Sequence, residues 1–197
     1  VLIAFERVDA NGYQLISENS APQVLALARN LLTFGGVMPL VLGLTIAIVP
    51  LQVGARSIAF PRLAASGFWM WLTGLGLMVA SIIGNGGPGG GDANLVDMYL
   101  ASFVVMLIGV VMAAVSLVVT TMTSRAPGMG LLRMPLLSWS SLVGSVMLVL
   151  TVPVLIGTSI YVYVDHRYAR AGFGGNKGVS QWIGWATSQP FTYVLAI

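Results

Sequence analysis

Five stretches without a charged side chain constrain this chain more than any other feature: residues 30–55, 63–91, 98–124, 134–164 and 178 to the end. A helix needs about 20 residues, each rising roughly 1.5 Å, to cross a hydrocarbon layer about 30 Å thick. Four of the stretches exceed that after their polar ends are trimmed, and the fifth is cut by the end of the sequence. Only 8% of the 197 residues are charged and 57% are hydrophobic, against roughly 25% charged in an ordinary soluble domain. With a mean hydropathy of +0.91, the chain lacks the polar surface to cover a globule, whereas a bilayer solvates apolar side chains on the outside of a helix bundle. The expected fold is all-α: a polytopic transmembrane bundle with spans near residues 30–52, 66–84, 98–121, 136–163 and 180–197, forming one membrane domain over residues 1–197. Val1 in place of an initiator Met, and Ile197 inside an apolar run, point to a segment of a longer chain.

Between the spans lie Arg56–Arg62, the glycine-rich Gly84–Asp97, Arg125–Arg133 and Asp165–Lys177. Such short connections force antiparallel neighbours, hence an up-and-down bundle. Ahead of the first span, Val1–Phe5 reads as the stub of an earlier one, and Asn19, Ser20 and Pro22 read as a helix start with a cap and a first-turn proline. The first and third connections carry Arg56, Arg62, Arg125 and Arg133 with no acid, which favours the cytoplasmic side, although counting Lys and Arg on both sides gives nearly equal numbers. Phe68, Trp69, Trp71, Tyr99, Trp139, Tyr161, Tyr163 and Tyr168 read as interfacial anchors. The small pairs Gly76 and Ala80, Gly109 and Ala113, and Ser141 and Ser145 lie four apart, on faces able to pack closely. Pro39 and Pro153 mark kinks expected to be buried in the bundle.

No ionisable side chain falls inside a complete span so delimited, and proton relays and voltage sensors need such groups. Hydroxyls are present, among them Thr33, Thr45, Ser116, Thr120, Thr121, Thr123, Thr151, Thr158 and Ser159; bonding to the preceding turn or to a neighbouring helix is the favoured reading over a water chain. The last span is the most polar, with Gln189 and Tyr193 on one face near Pro190. The run Gly84–Asp92 lacks the Lys and Ser/Thr of a phosphate cradle, so it reads as a connection. With no cysteine and one histidine, His166, placed in a connection beside Asp165 and Arg167, thiolate chemistry is excluded and no metal site is identified. The nine basic residues form no stripe, so nucleic acid is not an expected partner.

The order of spans and local motifs resembles subunit I of the haem-copper oxidases, the family of the catalytic subunit of cytochrome c oxidase. The residues carrying the resemblance are Val49-Pro50-Leu51-Gln52-Val53-Gly54-Ala55, Ala59-Phe60-Pro61-Arg62-Leu63, Arg125-Ala126-Pro127-Gly128-Met129, Pro153-Val154-Leu155, and Gln181 to Tyr193. It implies the second to the sixth of the family's twelve helices, arginine loops toward the cytoplasm, haem and copper as family cofactors, and other respiratory oxidase subunits and the lipid bilayer as partners in a bacterial cytoplasmic membrane. Residue by residue, the family's chemistry is substituted. Its copper-ligating histidine corresponds to Gln189, its proton-delivering glutamate to Phe191 and its proton-entry aspartate to Ser57; Tyr193 matches the family tyrosine. The paired asparagines correspond to Ala64 and Ala65, and the low-spin haem histidine falls near Ala28–Asn30, where there is none. Two functions follow as expectations: a non-catalytic structural or assembly subunit of a respiratory complex or, as the alternative, an active oxidase subunit passing electrons to oxygen with proton translocation.

Overall fold

The structure, a computed structural model, describes residues 21–87 and 91–168. The first spanning unit runs unbroken from Ala21 to Val53. Helix α1 (Ala21–Asn30) carries Pro22 in its first turn, where a missing N–H leaves no bond unmade; Asn19 and Ser20 of the expected start lie outside the described residues. A π-helix follows over Leu31–Val37, its widened winding marked by the Met38 N–H reaching back to the Thr33 carbonyl. Helix α2 (Met38–Val53) then continues with Pro39 in its first turn. Because Pro39 has no N–H for the carbonyl four residues back, a local change of winding here is the adjustment expected at a membrane proline.

Gly54 ends α2 in the left-handed conformation, φ 71°, which glycine adopts without a Cβ penalty. Helix α3 (Pro61–Ile83) opens on a proline. Helix α4 (Ala93–Thr123) is capped by Asp92, whose carboxylate accepts from the Asn94 and Leu95 N–H groups at 2.9 and 3.4 Å. Helix α5 (Leu136–Arg167) follows a single 3₁₀ turn at Leu131–Arg133. Four units, Leu27–Val53 and the whole of α3, α4 and α5, are long and apolar enough to cross a membrane. No strand occurs among the described residues. The expected fifth span, 180–197, lies outside them.

The helices outrun the uncharged stretches. At about 1.5 Å per residue the 31 residues of α4 extend about 46 Å, well beyond a hydrocarbon layer of about 30 Å. Charged residues therefore sit on helix ends that emerge from the apolar layer. Asp97 lies one turn inside α4, and Asp165, His166 and Arg167 close α5. This corrects the expectation that every ionisable side chain lies in a connection, and it moves His166 from a loop onto a helix.

Helix α4 is the centre of the packing, with α3 and α5 against it and α2 touching both α4 and α5. Its buried face includes Tyr99, Leu100, Phe103, Met106, Leu107, Val110, Ala114 and Leu117. Against α3 the backbones nearly touch: a Cβ on Gly109 would come within 2.5 Å of the Gly67 carbonyl oxygen, and one on Gly74 within 2.7 Å of the Met106 nitrogen. Small residues give helices in lipid this close approach, where packing rather than water exclusion drives association. Gly109 with Ala113 and Ser141 with Ser145 are buried as the spacing predicts. Gly76 and Ala80 instead point outward, and a Cβ on Gly76 meets nothing within 4 Å; Gly67 and Gly74 supply the contact. Pro153, expected to be buried in the bundle, is exposed with Leu150 and Val154 on the outer face of α5 among the described residues, whereas Pro50 inside α2 is buried. Tyr99 is wholly buried and is not an interfacial anchor, unlike exposed Phe68, Trp69, Tyr161 and Tyr168.

Two bonds fix which connections share an end. The Ala126 N–H donates to the Val53 carbonyl at 2.9 Å, and the Ala59 N–H to Thr120 Oγ1 at 2.8 Å, so the two arginine-bearing connections lie side by side. Membrane hydroxyls mostly donate one turn back along their own helix, as Thr45, Ser116, Thr121, Thr151, Thr158 and Ser159 do. Replacing Gly109 by Val is expected to wedge α3 from α4 and cost about 1–3 kcal/mol, the range for overpacking a filled interface. Gly76→Ala should leave stability unchanged or slightly raised. Thermal unfolding of both variants in detergent checks the pair.

Candidate functional site

The residues at the resemblance's haem-ligand position stand at the join of α1 and the π-helix. Ala28 and Arg29 are exposed, and Asn30 is fully buried. The Asn30 amide donates from Nδ2 to the Tyr99 hydroxyl on α4 at 2.7 Å, while its Oδ1 has no donor among the described residues. Tyr99 is also fully buried. One turn further in, the Phe34 ring meets Phe103 edge-on at 5.3 Å, and the Trp71 indole N–H donates to the Phe34 carbonyl at 2.8 Å. An α-helical ladder would engage that carbonyl internally; π segments redirect such groups and occur often at functional positions. Leaving a buried polar atom without a partner costs about 1–3 kcal/mol, so the Asn30 carboxamide is a costly feature of this interior.

A second polar group closes the same end of α4 on its opposite face. Asp97 is buried and accepts from His166 Nδ1 at 2.7 Å through Oδ1, and from Arg167 Nη1 at 3.0 Å through Oδ2. Arg167 also reaches Asn94 Oδ1 at 3.2 Å. Each carboxylate oxygen thus has its own donor, and α4 and α5 are tied by a charge-assisted pair of bonds. The histidine read as a loop residue is a helix-end residue engaged by a buried acid. Helix spacing gave no signal for this partnership, because Asp97 and His166 are 69 positions apart.

At the arginine end, Ser57 is exposed in the connection, Ala64 is half-buried and Ala65 exposed. No acid stands near them in sequence, and Ser57 is not brought together with Asn30 or Asp97, which lie at the opposite end of the bundle. An apolar cavity of about 170 Å³ lies between α2, α3 and α4, lined by residues including Leu42, Ile46, Phe68, Trp71 and Val110. Gln189, Phe191 and Tyr193 lie outside the described residues. No group of three or more His, Cys, Asp or Glu able to hold a metal ion occurs among the described residues.

The comparisons with known proteins fit this arrangement of helices. The family Cytochrome C and Quinol oxidase polypeptide I matches residues 1–197. The chain belongs to this family. It is 31% identical to cytochrome c oxidase subunit 1 of Bacillus sp. (strain PS3) over 191 residues, covering 89% of this chain and 31% of the relative. It is 31% identical to cytochrome c oxidase subunit 1 of Corynebacterium diphtheriae over 208 residues, covering 94% and 36%. A probable cytochrome c oxidase subunit 1 of Bradyrhizobium diazoefficiens is 32% identical over 197 residues, covering 89% and 29%. The chain thus spans between 29% and 36% of the length of these relatives. It is a haem-copper oxidase subunit I-like integral membrane protein of bacterial type.

The family uses haem and copper, and a haem ligand at this position would have to come from Ala28, Arg29 or Asn30. An axial haem ligand presents an imidazole, thiolate, thioether or phenolate donor. Ala28 offers none, the Arg29 guanidinium carries donors and no acceptor, and the Asn30 carboxamide is engaged by Tyr99. These three residues do not fit an axial haem ligand.

Asp97→Ala should leave Arg167 and His166 without their acceptor and lower stability by about 1–3 kcal/mol. Asp97→Asn, which keeps one acceptor oxygen, should lose less. Thermal unfolding of the two variants, with proteolysis near the end of α5 as a local readout, checks the order.

Proposed function

We propose that this chain forms part of a subunit I-type scaffold in a respiratory oxidase complex without supplying haem or copper chemistry of its own, serving a structural or assembly role beside other oxidase subunits. One observation carries the reading: at the haem-ligand position the buried side chain is a carboxamide engaged by Tyr99. The substitutions at Gln189, Phe191 and Ser57 support it, since an amide is a poor copper ligand and neither a phenyl ring nor a serine hydroxyl releases a proton at neutral pH. His166, the single imidazole of the chain, is engaged by Asp97.

A second reading, an active terminal oxidase that reduces oxygen and moves protons, is favoured by family membership, with the relatives extending well beyond the matched residues. The two differ in spectrum. The purified intact protein is expected to give no low-spin haem bands from this subunit in a reduced-minus-oxidised difference spectrum and no stoichiometric copper. Haem bands assigned to this subunit would establish the active reading instead.

The arginine connections are proposed to face the cytoplasm. Residues 1–197 contain no cysteine, so a cysteine introduced there reports its own position in protein whose cysteines outside these residues, if any, are replaced. In inside-out vesicles Ser57→Cys is expected to react with an impermeant maleimide and Asn94→Cys to resist it, with the reverse in right-side-out vesicles. Reversed labelling sinks the orientation.

A further inference from the structure

Asn30 and Tyr99 present an incomplete pair of hydrogen bonds. With Asn30 Nδ2 donating to the Tyr99 hydroxyl oxygen, two capacities remain unused: Asn30 Oδ1 lacks a donor, and the hydroxyl hydrogen of Tyr99 has no acceptor among the described residues. Rotating the carboxamide by half a turn does not remove the problem. The tyrosine then donates to Oδ1, and the amide NH₂ is left without an acceptor. Both side chains are fully buried, so bulk solvent does not satisfy either atom. Nearly all buried polar atoms in native proteins are bonded, and the unpaired ones are met by ordered water more often than left bare.

We propose that Asn30 and Tyr99 together bind one ordered water molecule at the join of α1 and the π-helix. A single water fits the unused capacities atom for atom: its oxygen accepts the Tyr99 hydroxyl hydrogen, and one of its hydrogens goes to Asn30 Oδ1. With the 2.7 Å amide-to-hydroxyl bond this closes a ring of three hydrogen bonds. The ligand must donate and accept through one small centre, which excludes a metal cation, a halide and an apolar gas. The Phe34–Phe103 contact and the Trp71 bond to the Phe34 carbonyl lie one turn further in, so the site is bounded by aromatic side chains on that side. The water then couples the α1–π join to α4.

The test is an experimental density map of the intact protein at a resolution that shows ordered water. The expected result is a peak within hydrogen-bond distance of both the Asn30 carboxamide and Tyr99 Oη, lost in Tyr99→Phe. A wild-type map without that peak, or with a side chain from another segment in its place, overturns the proposal. Because Tyr99→Phe is a buried change, a second measurement reads the phenol in the wild type, with the variant serving only to assign its bands. The tyrosine doublet in the Raman difference between wild type and Tyr99→Phe reports whether the phenol donates as well as accepts. A phenol that both donates and accepts supports the bound water. A phenol that only accepts overturns it, because the hydroxyl hydrogen then has no partner.

Discussion

Gly67 and Gly109 face each other with so little room that a Cβ on Gly109 would overlap the Gly67 carbonyl, and this sets the depth at which α3 seats on α4. Apolar side chains gain nothing from leaving lipid, so this closeness, with the dispersion contacts it permits, is what holds the two helices. Trp71 follows from the seating. Its backbone lies against Gly109, and its indole N–H reaches the Phe34 carbonyl. Phe34 in turn packs edge-on against Phe103 of α4. The winding of the first spanning unit is thereby tied to both neighbours through one aromatic residue.

The ends of the bundle use electrostatics where the middle uses shape. At one end Asp97 draws His166 and Arg167 of α5 onto α4; at the other, backbone bonds from Ala59 and Ala126 lay the arginine connections together. Ser138 of α5 donates to Gln52 Oε1 of α2 at 2.7 Å beside them. A buried carboxylate is tolerable because each oxygen has a cationic or polarised donor, and because α4 is long enough to carry the residue toward the edge of the apolar layer.

Under the proposed reading, the departure from the family's chemistry is local. The motifs Val49 to Ala55 and Phe60-Pro61-Arg62 close and open helices of spanning length, as the resemblance implies. The substitutions that the resemblance implies fall on polar positions. Asn30 is bonded to Tyr99 in an interior where α1 meets α4. A fold built by glycine contacts and apolar length tolerates such changes, because neither depends on the donor atoms of the site.

Hydropathy and charge spacing by themselves determined that the chain is an all-α membrane protein, roughly where its spans lie and which connections are cationic, because the cost of unpaired backbone groups in lipid admits few alternatives. Composition likewise excluded thiolate chemistry. The helix ends were misjudged, since charge marks the edge of the apolar layer whereas hydrogen bonding continues the helix beyond it, as at Asp97 and His166. Gly76 and Gly109 look alike in sequence, and only the facing helix distinguishes an outward glycine from a contact. Tyr99 read as an anchor for the same reason. Tertiary structure alone decided that Asn30 meets Tyr99 and Asp97 meets His166, each pair 69 residues apart, because partners so distant are chosen by helix packing and leave no periodic trace in the chain.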